Sequence, residues 1–178
     1  ADARAQVEDF SSKAFPQKAS KQKAPAPAPE KKPEPRNDGG VDCVNCVAIT
    51  YDDGPGSETN RLLDKFKAKN AHASFMVLAP NADQHPELLK RMKAEGHTIG
   101  NHTKSHRQLN TLSYEQVSQE IDAGNAAISK ATGQGTRWVR PPYGATNATV
   151  DQVTRDKGVS QALWDVDTVD WKDRNSEH

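Results

Sequence analysis

Long apolar runs are missing from this 178-residue chain. No stretch approaches the roughly 20 apolar residues that a membrane-spanning helix needs. Charge of one sign is missing too. The 24 Lys and Arg balance 24 Asp and Glu, and the lack of a basic excess argues against a dedicated nucleic-acid binder. No Gly-rich phosphate loop follows the first apolar segment, which weakens a nucleotide-binding reading. Cysteine is scarce. Only Cys43 and Cys46 occur, as C-x-x-C, and without a second ligand pair they cannot make a zinc ribbon. A local disulfide in an oxidising compartment and a free or redox dithiol both remain open for them. Hydrophobic residues make up only 34% of the chain, and the deficit is local. Residues 1–40 hold six of the eleven prolines, eight Lys and Arg and six Asp and Glu, with Val7, Phe10 and Phe15 as their only larger apolar side chains.

Residues 16–36, PQKASKQKAPAPAPEKKPEPR, have no apolar period. Repeated Ala-Pro fixes φ and removes amide donors, favouring solvated polyproline II segments. Such a segment buries too little apolar surface to offset its ordering entropy. Residues 1–40 are therefore expected to be a disordered tail and linker, and residues 41–178 a folded unit. The tail suits a spacer tethering an extracellular enzyme near a cell wall. The chain opens at Ala1, as a processed form or an excised segment would.

Beyond the tail, apolar segments alternate between strand and helix periods. Residues 46–51 read as a buried strand ending in the turn Asp53-Gly54-Pro55, and residues 73–78 as the next. Between them Leu62, Leu63 and Phe66 share one helical face. Pro86 opens a second helix with Leu88, Leu89 and Met92 inward, closed by Gly96. A short strand over 97–100 follows. Ser113 and Gln116 form a capping box before a long helix with Val117, Ile121 and Ile128 in one stripe. A strand over 138–140, a helix capped by Asn147 and a strand over 162–166 complete the pattern. Five strands separated by four helices imply parallel βαβ units. Every polar cluster of interest follows a strand's C-terminal end, as in an α/β barrel.

Four such clusters occur. In Asp52-Asp53-Gly54-Pro55, adjacent carboxylates can divide their work, one binding a metal and one transferring a proton. Taken alone, though, DDGP is more often a plain turn. His102 and His106, at i and i+4, are placed on one side of a helical turn and can share an ion. H-x-x-x-H is weak by itself, but with Asp53 it completes two imidazoles and a carboxylate with positions open for water and substrate. In Arg140-Pro141-Pro142-Tyr143-Gly144, two prolines stiffen the loop so that the Tyr143 amide can serve as a fixed oxyanion donor. Arg140 can pair with Asp52 and keep it ionised. In the segment Asp165 to Trp171, an aromatic beside carboxylates suits a sugar-binding wall.

YDDGP, HTKSH, RPPYG and DTVDW, in this order, resemble the first four motifs of the polysaccharide deacetylase family (NodB homology, carbohydrate esterase family 4) over about residues 43–172. The resemblance implies a distorted (β/α) barrel and metal-dependent N- or O-deacetylation. It implies Asp53, His102 and His106 as ligands of one divalent ion, zinc before cobalt or nickel. Asp52 would be the general base, Arg140 its partner and the Tyr143 amide an oxyanion donor. Asp170 would tune the catalytic acid, and Trp171, with Pro141 and Tyr143, would line the substrate site. The family's fifth motif, an L-x-H supplying the general-acid histidine, has no counterpart here, since His178 follows Asn175-Ser176-Glu177 with no apolar strand before it. The C-terminal part of the barrel is expected to be missing from this chain, and a C-terminal fragment of the same protein could complete it. The expected activity is deacetylation of a secreted or cell-wall glycan, N-acetylglucosamine units of peptidoglycan or chitin first. The alternatives are an acetylxylan esterase or a non-catalytic metal- and glycan-binding barrel.

Overall fold

A computed structural model describes residues 46–173. The predicted disordered tail, Cys43 and His178 lie outside the described residues. Five strands form one parallel sheet in chain order: β1 (Thr50–Gly54), β2 (Ser74–Val77), β3 (Thr98–Asn101), β4 (Trp138–Val139) and β5 (Ser160–Gln161). The connections carry α1 (Thr59–Ala68), α2 (Ala79–Gln84), α3 (Pro86–Ala94), α4 (Tyr114–Thr132) and α5 (Ala148–Asp156), and a short α6 (Asp170–Asp173) follows β5. A doubly wound sheet would reverse its strand order at a switch point and take helices on both faces. Here the order never reverses. Leu63, Leu89, Met92 and Ile128 from α1, α3 and α4 pack on Phe75 and Val77 of β2, while Val117, Ile121, Val150 and Val153 pack on Val139 of β4. Parallel strands in unbroken chain order, joined by helices, agree with part of the expected distorted (β/α) barrel.

Local sequence explains most boundaries. Ser113 accepts from the Gln116 N–H and the Gln116 side chain accepts from the Ser113 N–H, so the capping box starts α4 as read. Gly133, at φ +82°, ends it in the left-handed conformation. The Asn147 side chain accepts from the Val150 N–H and starts α5.

The sheet's two margins differ from the sequence reading. The first strand is not a buried segment over 46–51. It begins at Thr50 and runs through both aspartates to Gly54, with Val47 87% exposed and Ile49 half-exposed. Among the described residues it pairs only with β2, and the Leu78 N–H bond to the Gly54 carbonyl extends the ladder toward its carboxyl end. The last strand is not 162–166 but Ser160–Gln161. The segment after it leaves Leu163, Trp164 and Val166 exposed, because among the described residues no strand pairs on its outer side. The helix α2 was not read at all. Its six residues carry no large apolar side chain, and only Ala79 and Ala82 are buried.

Candidate active site

The carboxyl ends of β1, β3 and β4 bring the first three clusters together. Asp53 takes φ +66°, a left-handed value unusual for a non-glycine residue, where the β1–β2 register slips between Tyr51 and Gly54. Such a bulge re-aims side chains. It lets the two adjacent carboxylates take different main partners: Asp53 meets both histidines, while Asp52 meets Arg140 and lies farther, at 3.9 Å, from His102 Nε2. The Asn81 side-chain amide donates to the Asp53 carbonyl at 2.6 Å, so α2 holds the bulge.

His102 and His106 converge, but not on a helical turn. The segment between β3 and α4 is irregular there, with Thr103 at φ +77° and His106 at φ +55°. Hydrogen bonds from the loop to buried polar side chains replace helical ones: the Thr103 N–H donates to Asn101 Oδ1 at 2.7 Å. Asn101, fully buried, in turn donates to the Ile121 carbonyl on α4. His102 is buried, and its Nδ1 lies 2.8 Å from the Arg140 carbonyl. A carbonyl only accepts, so Nδ1 carries the proton and the Nε2 lone pair faces the site. Burial pushes the His102 pKa below its ordinary value, against the opposing pull of the Asp52 carboxylate, and so favours that neutral form.

Asp53 Oδ1 lies 3.5 Å from His102 Nε2 and 3.3 Å from His106 Nε2, and the three donor atoms fall within 4.8 Å of one another. Four ligands about 2.0–2.1 Å from a tetrahedral zinc ion stand roughly 3.3 Å apart. One carboxylate and two imidazoles on that spacing fit a divalent cation, which resolves the convergence of lone pairs.

Beside this trio, Arg140 is buried and fully engaged. Its Nη1 donates to Asp52 Oδ1 at 2.7 Å and to Thr50 Oγ1 at 2.8 Å. Its Nε and Nη2 donate to the carbonyls of Ala162 and Leu163. Its guanidinium also lies 5.5 Å from the centre of the Trp164 ring. Tyr143 sits in a short 3₁₀ turn, Pro142–Gly144, at φ +61°. Its ring, well exposed, meets His106 edge-on at 4.7 Å between centroids, and the neighbouring Pro141 is buried.

The fourth cluster stands apart. Asp170 accepts from the Thr168 hydroxyl, and it adds to the burial that raises the Tyr51 phenol pKa. Trp171 is 68% exposed. Among the described residues no hydrogen bond or ion pair joins either one to the trio. A concavity of about 450 Å³ lies at the opposite strand ends, lined in part by Lys93, Thr98, Arg137 and Trp138, and holds none of these side chains. Converging titratable groups mark the site, not this hollow. Cys46 is disulfide-bonded.

The family model described as polysaccharide deacetylase matches residues 40–162. The chain belongs to that family. It is 42% identical over 130 residues to the peptidoglycan-N-acetylmuramic acid deacetylase PdaC of Bacillus subtilis, an alignment covering 72% of this chain and 27% of that one. It is 39% identical over 149 residues to chitin deacetylase 2 of Saccharomyces cerevisiae, covering 77% and 46%. Among solved structures, a T48 deacetylase with substrate superposes with a TM-score of 0.69 at 44% identity, covering 73% of this chain and 64% of that chain. The chain spans about a quarter to a half of the length of the two curated relatives.

Asn81, Asn101 and Glu120 were missed in the sequence. Each supports the site from 15 or more residues away along the chain, or through the backbone of a ligand's neighbour, and no local pattern signals such a role.

Proposed function

We propose that this chain carries the metal-binding and proton-accepting part of a hydrolase that removes acetyl groups from an extracellular or cell-wall glycan. N-acetylglucosamine units of peptidoglycan or chitin-type polymers are the first candidates. The reading rests on one observation: a buried arginine fixes a lone carboxylate beside a three-donor cluster at the carboxyl ends of neighbouring strands. A divalent ion held by Asp53, His102 and His106, zinc before cobalt or nickel, would polarise the acetyl carbonyl and acidify a water. Asp52 would take that water's proton on Oδ2, because Oδ1 is tied to Arg140. The Tyr143 amide would meet negative charge developing on the acetyl oxygen. Pro141 would stiffen that loop, and the Tyr143 and Trp171 rings would offer stacking faces to sugar. Asp170 would tune a general-acid histidine supplied by a C-terminal segment that completes the barrel. The names of the relatives support a glycan substrate, and the bonded state of Cys46 supports secretion into an oxidising environment.

Among the described residues no hydrogen bond or ion pair ties Asp170 or Trp171 to the trio, which leaves a second reading, a barrel that binds metal and glycan without turnover. Acetate release from chitooligomers, peptidoglycan and acetylxylan separates the two. The assay uses the chain joined to its C-terminal segment, first stripped with a chelator and then reloaded with zinc. Zinc-dependent release from a glucosamine polymer is the expected result, and release from acetylxylan alone reassigns the substrate. Folded, zinc-loaded protein that frees no acetate from any of the three leaves the non-catalytic reading standing.

A further inference from the structure

The loop that carries both histidines is held in a conformation its own sequence does not favour. Two of its five residues, Thr103 and His106, lie at positive φ without being glycine. A side chain with a Cβ is strained there. A loop like that persists only where its surroundings fix it.

Glu120 supplies the fixing. It lies on the inner side of α4, only 8% exposed, and is the one carboxylate among the buried polar residues described. Its Oε2 accepts from the N–H groups of Lys104 and Ser105 at 3.0 and 2.8 Å, and its Oε1 accepts from the Ser105 hydroxyl at 2.5 Å. Among the described ion pairs none involves Glu120. A buried carboxylate without a cation is costly, and charge-assisted bonds to two consecutive amides and a hydroxyl are what offset the cost. All three bonds fall between His102 and His106. The next residue of the helix, Ile121, anchors Asn101 from the other side of His102. One turn further, the Asn101 side chain rests against Gly124, where any Cβ would overlap it.

We infer that Glu120 is the positioning residue of the metal centre: it sets the distance and aim of His106 relative to His102 by clamping the backbone between them. The inference rests on the metal reading of the Asp53, His102 and His106 cluster. Groups that orient metal ligands from behind typically contribute 10- to 100-fold to affinity. Glu120→Ala removes all three acceptor contacts and is expected to weaken zinc binding about 10- to 100-fold. Glu120→Gln is the rescue. Its Oε1 can still take both amides and its Nε2 can donate to a turned Ser105 hydroxyl, so affinity should stay within a few-fold of the parent.

The test titrates the 178-residue chain with zinc alone against a competing chelator. Circular dichroism and the metal-free melting temperature report separately on folding. The expected result is a large loss for Glu120→Ala, near-parental affinity for Glu120→Gln and a zinc-induced rise in melting temperature that shrinks only in the Ala variant. If Glu120→Ala does not fold, Glu120→Asp takes its place: the carboxylate, one methylene shorter, cannot reach both amides and should also bind zinc at least tenfold more weakly. Folded Ala or Asp variants with parental affinity overturn the role of Glu120 while leaving the metal site intact. A folded parent chain that binds no zinc overturns the metal reading itself, and this inference with it.

Discussion

The middle of the sheet and its margins are built to different standards. At the centre, β2 and β3 pair over four consecutive residues, and Phe75, Met76, Val77 and Asn101 are buried. At the margins Val47 and Val166 are more than 80% exposed, and β5 is two residues long. The proposed metal ligands come from both zones. His102 is 3% exposed and fixed through its ring nitrogen, whereas the Asp53 side chain is 62% exposed and belongs to a strand that, among the described residues, pairs on one side only. His102 is preset by packing, and the carboxylate has far more freedom to adjust. The binding geometry is therefore only as good as the bulge and the Asn81 bond that restrain Asp53 from behind.

Exchanging the two adjacent aspartates should give the largest effects. Asp53→Ala removes a proposed ligand and is expected to lose both bound zinc and acetate release. Asp52→Asn should keep zinc but lose about 10²- to 10⁴-fold in turnover, the usual cost of deleting a general base. Zinc content and acetate release, measured on both variants in the chain joined to its C-terminal segment, check this. An Asp52→Asn protein that loses its metal while Asp53→Ala retains it would reverse the assignments.

The central zone is probed by Gly124→Ala, whose new methyl must push into the Asn101 amide and disturb its bonds to Ile121 and Thr103. A loss of about 2–3 kcal/mol in urea unfolding is expected; a neutral substitution would mean that the contact between α4 and β3 is slack.

His97 tests the same zone by pH. Its buried Nδ1 accepts from the Ala73 N–H at 3.1 Å, and burial, helped by nearby His72, holds its pKa below the ordinary value. The fold therefore prefers the neutral ring, while the unfolded chain takes up a proton near pH 6.5. Its contribution is intact above about pH 6.5 and is lost as the pH falls from there to the depressed folded value. Melting temperatures between pH 7.5 and pH 5, with chelator present so that metal release does not enter, should fall on acidification in the parent and fall less in His97→Gln. Equal slopes would remove His97 from the account. Smallest of all, Val47→Ser at the exposed margin should change stability by no more than about 0.5 kcal/mol in the same urea assay.

The two zones also differ in how much their sequence disclosed. In the centre, the 3.6-residue stripe of Val117, Ile121 and Ile128 and the Ser113 capping box are local signals, and the helix formed where they indicated. The margins misled because apolar residues such as Val47, Ile49 and Leu163 look like core in a sequence, while their burial depends on neighbours that only tertiary structure supplies. At the site, the pairing of His102 and His106 with Asp53 was legible from residue type and position after strands. The loop's left-handed residues were not, because Thr and His at positive φ leave no trace in composition.

Arg140 contacts the site twice through chemically separate parts. Its guanidinium grips Asp52, and its main-chain oxygen fixes the His102 ring. A codon change can delete the first contact but never the second, because every amino acid carries the same carbonyl. On the proposed function, ion capture would therefore rest on a contact that outlasts the loss of the guanidinium holding Asp52, and the two capacities would be separable. A lineage could shed turnover in a single step and keep a working ion-binding fold for other uses.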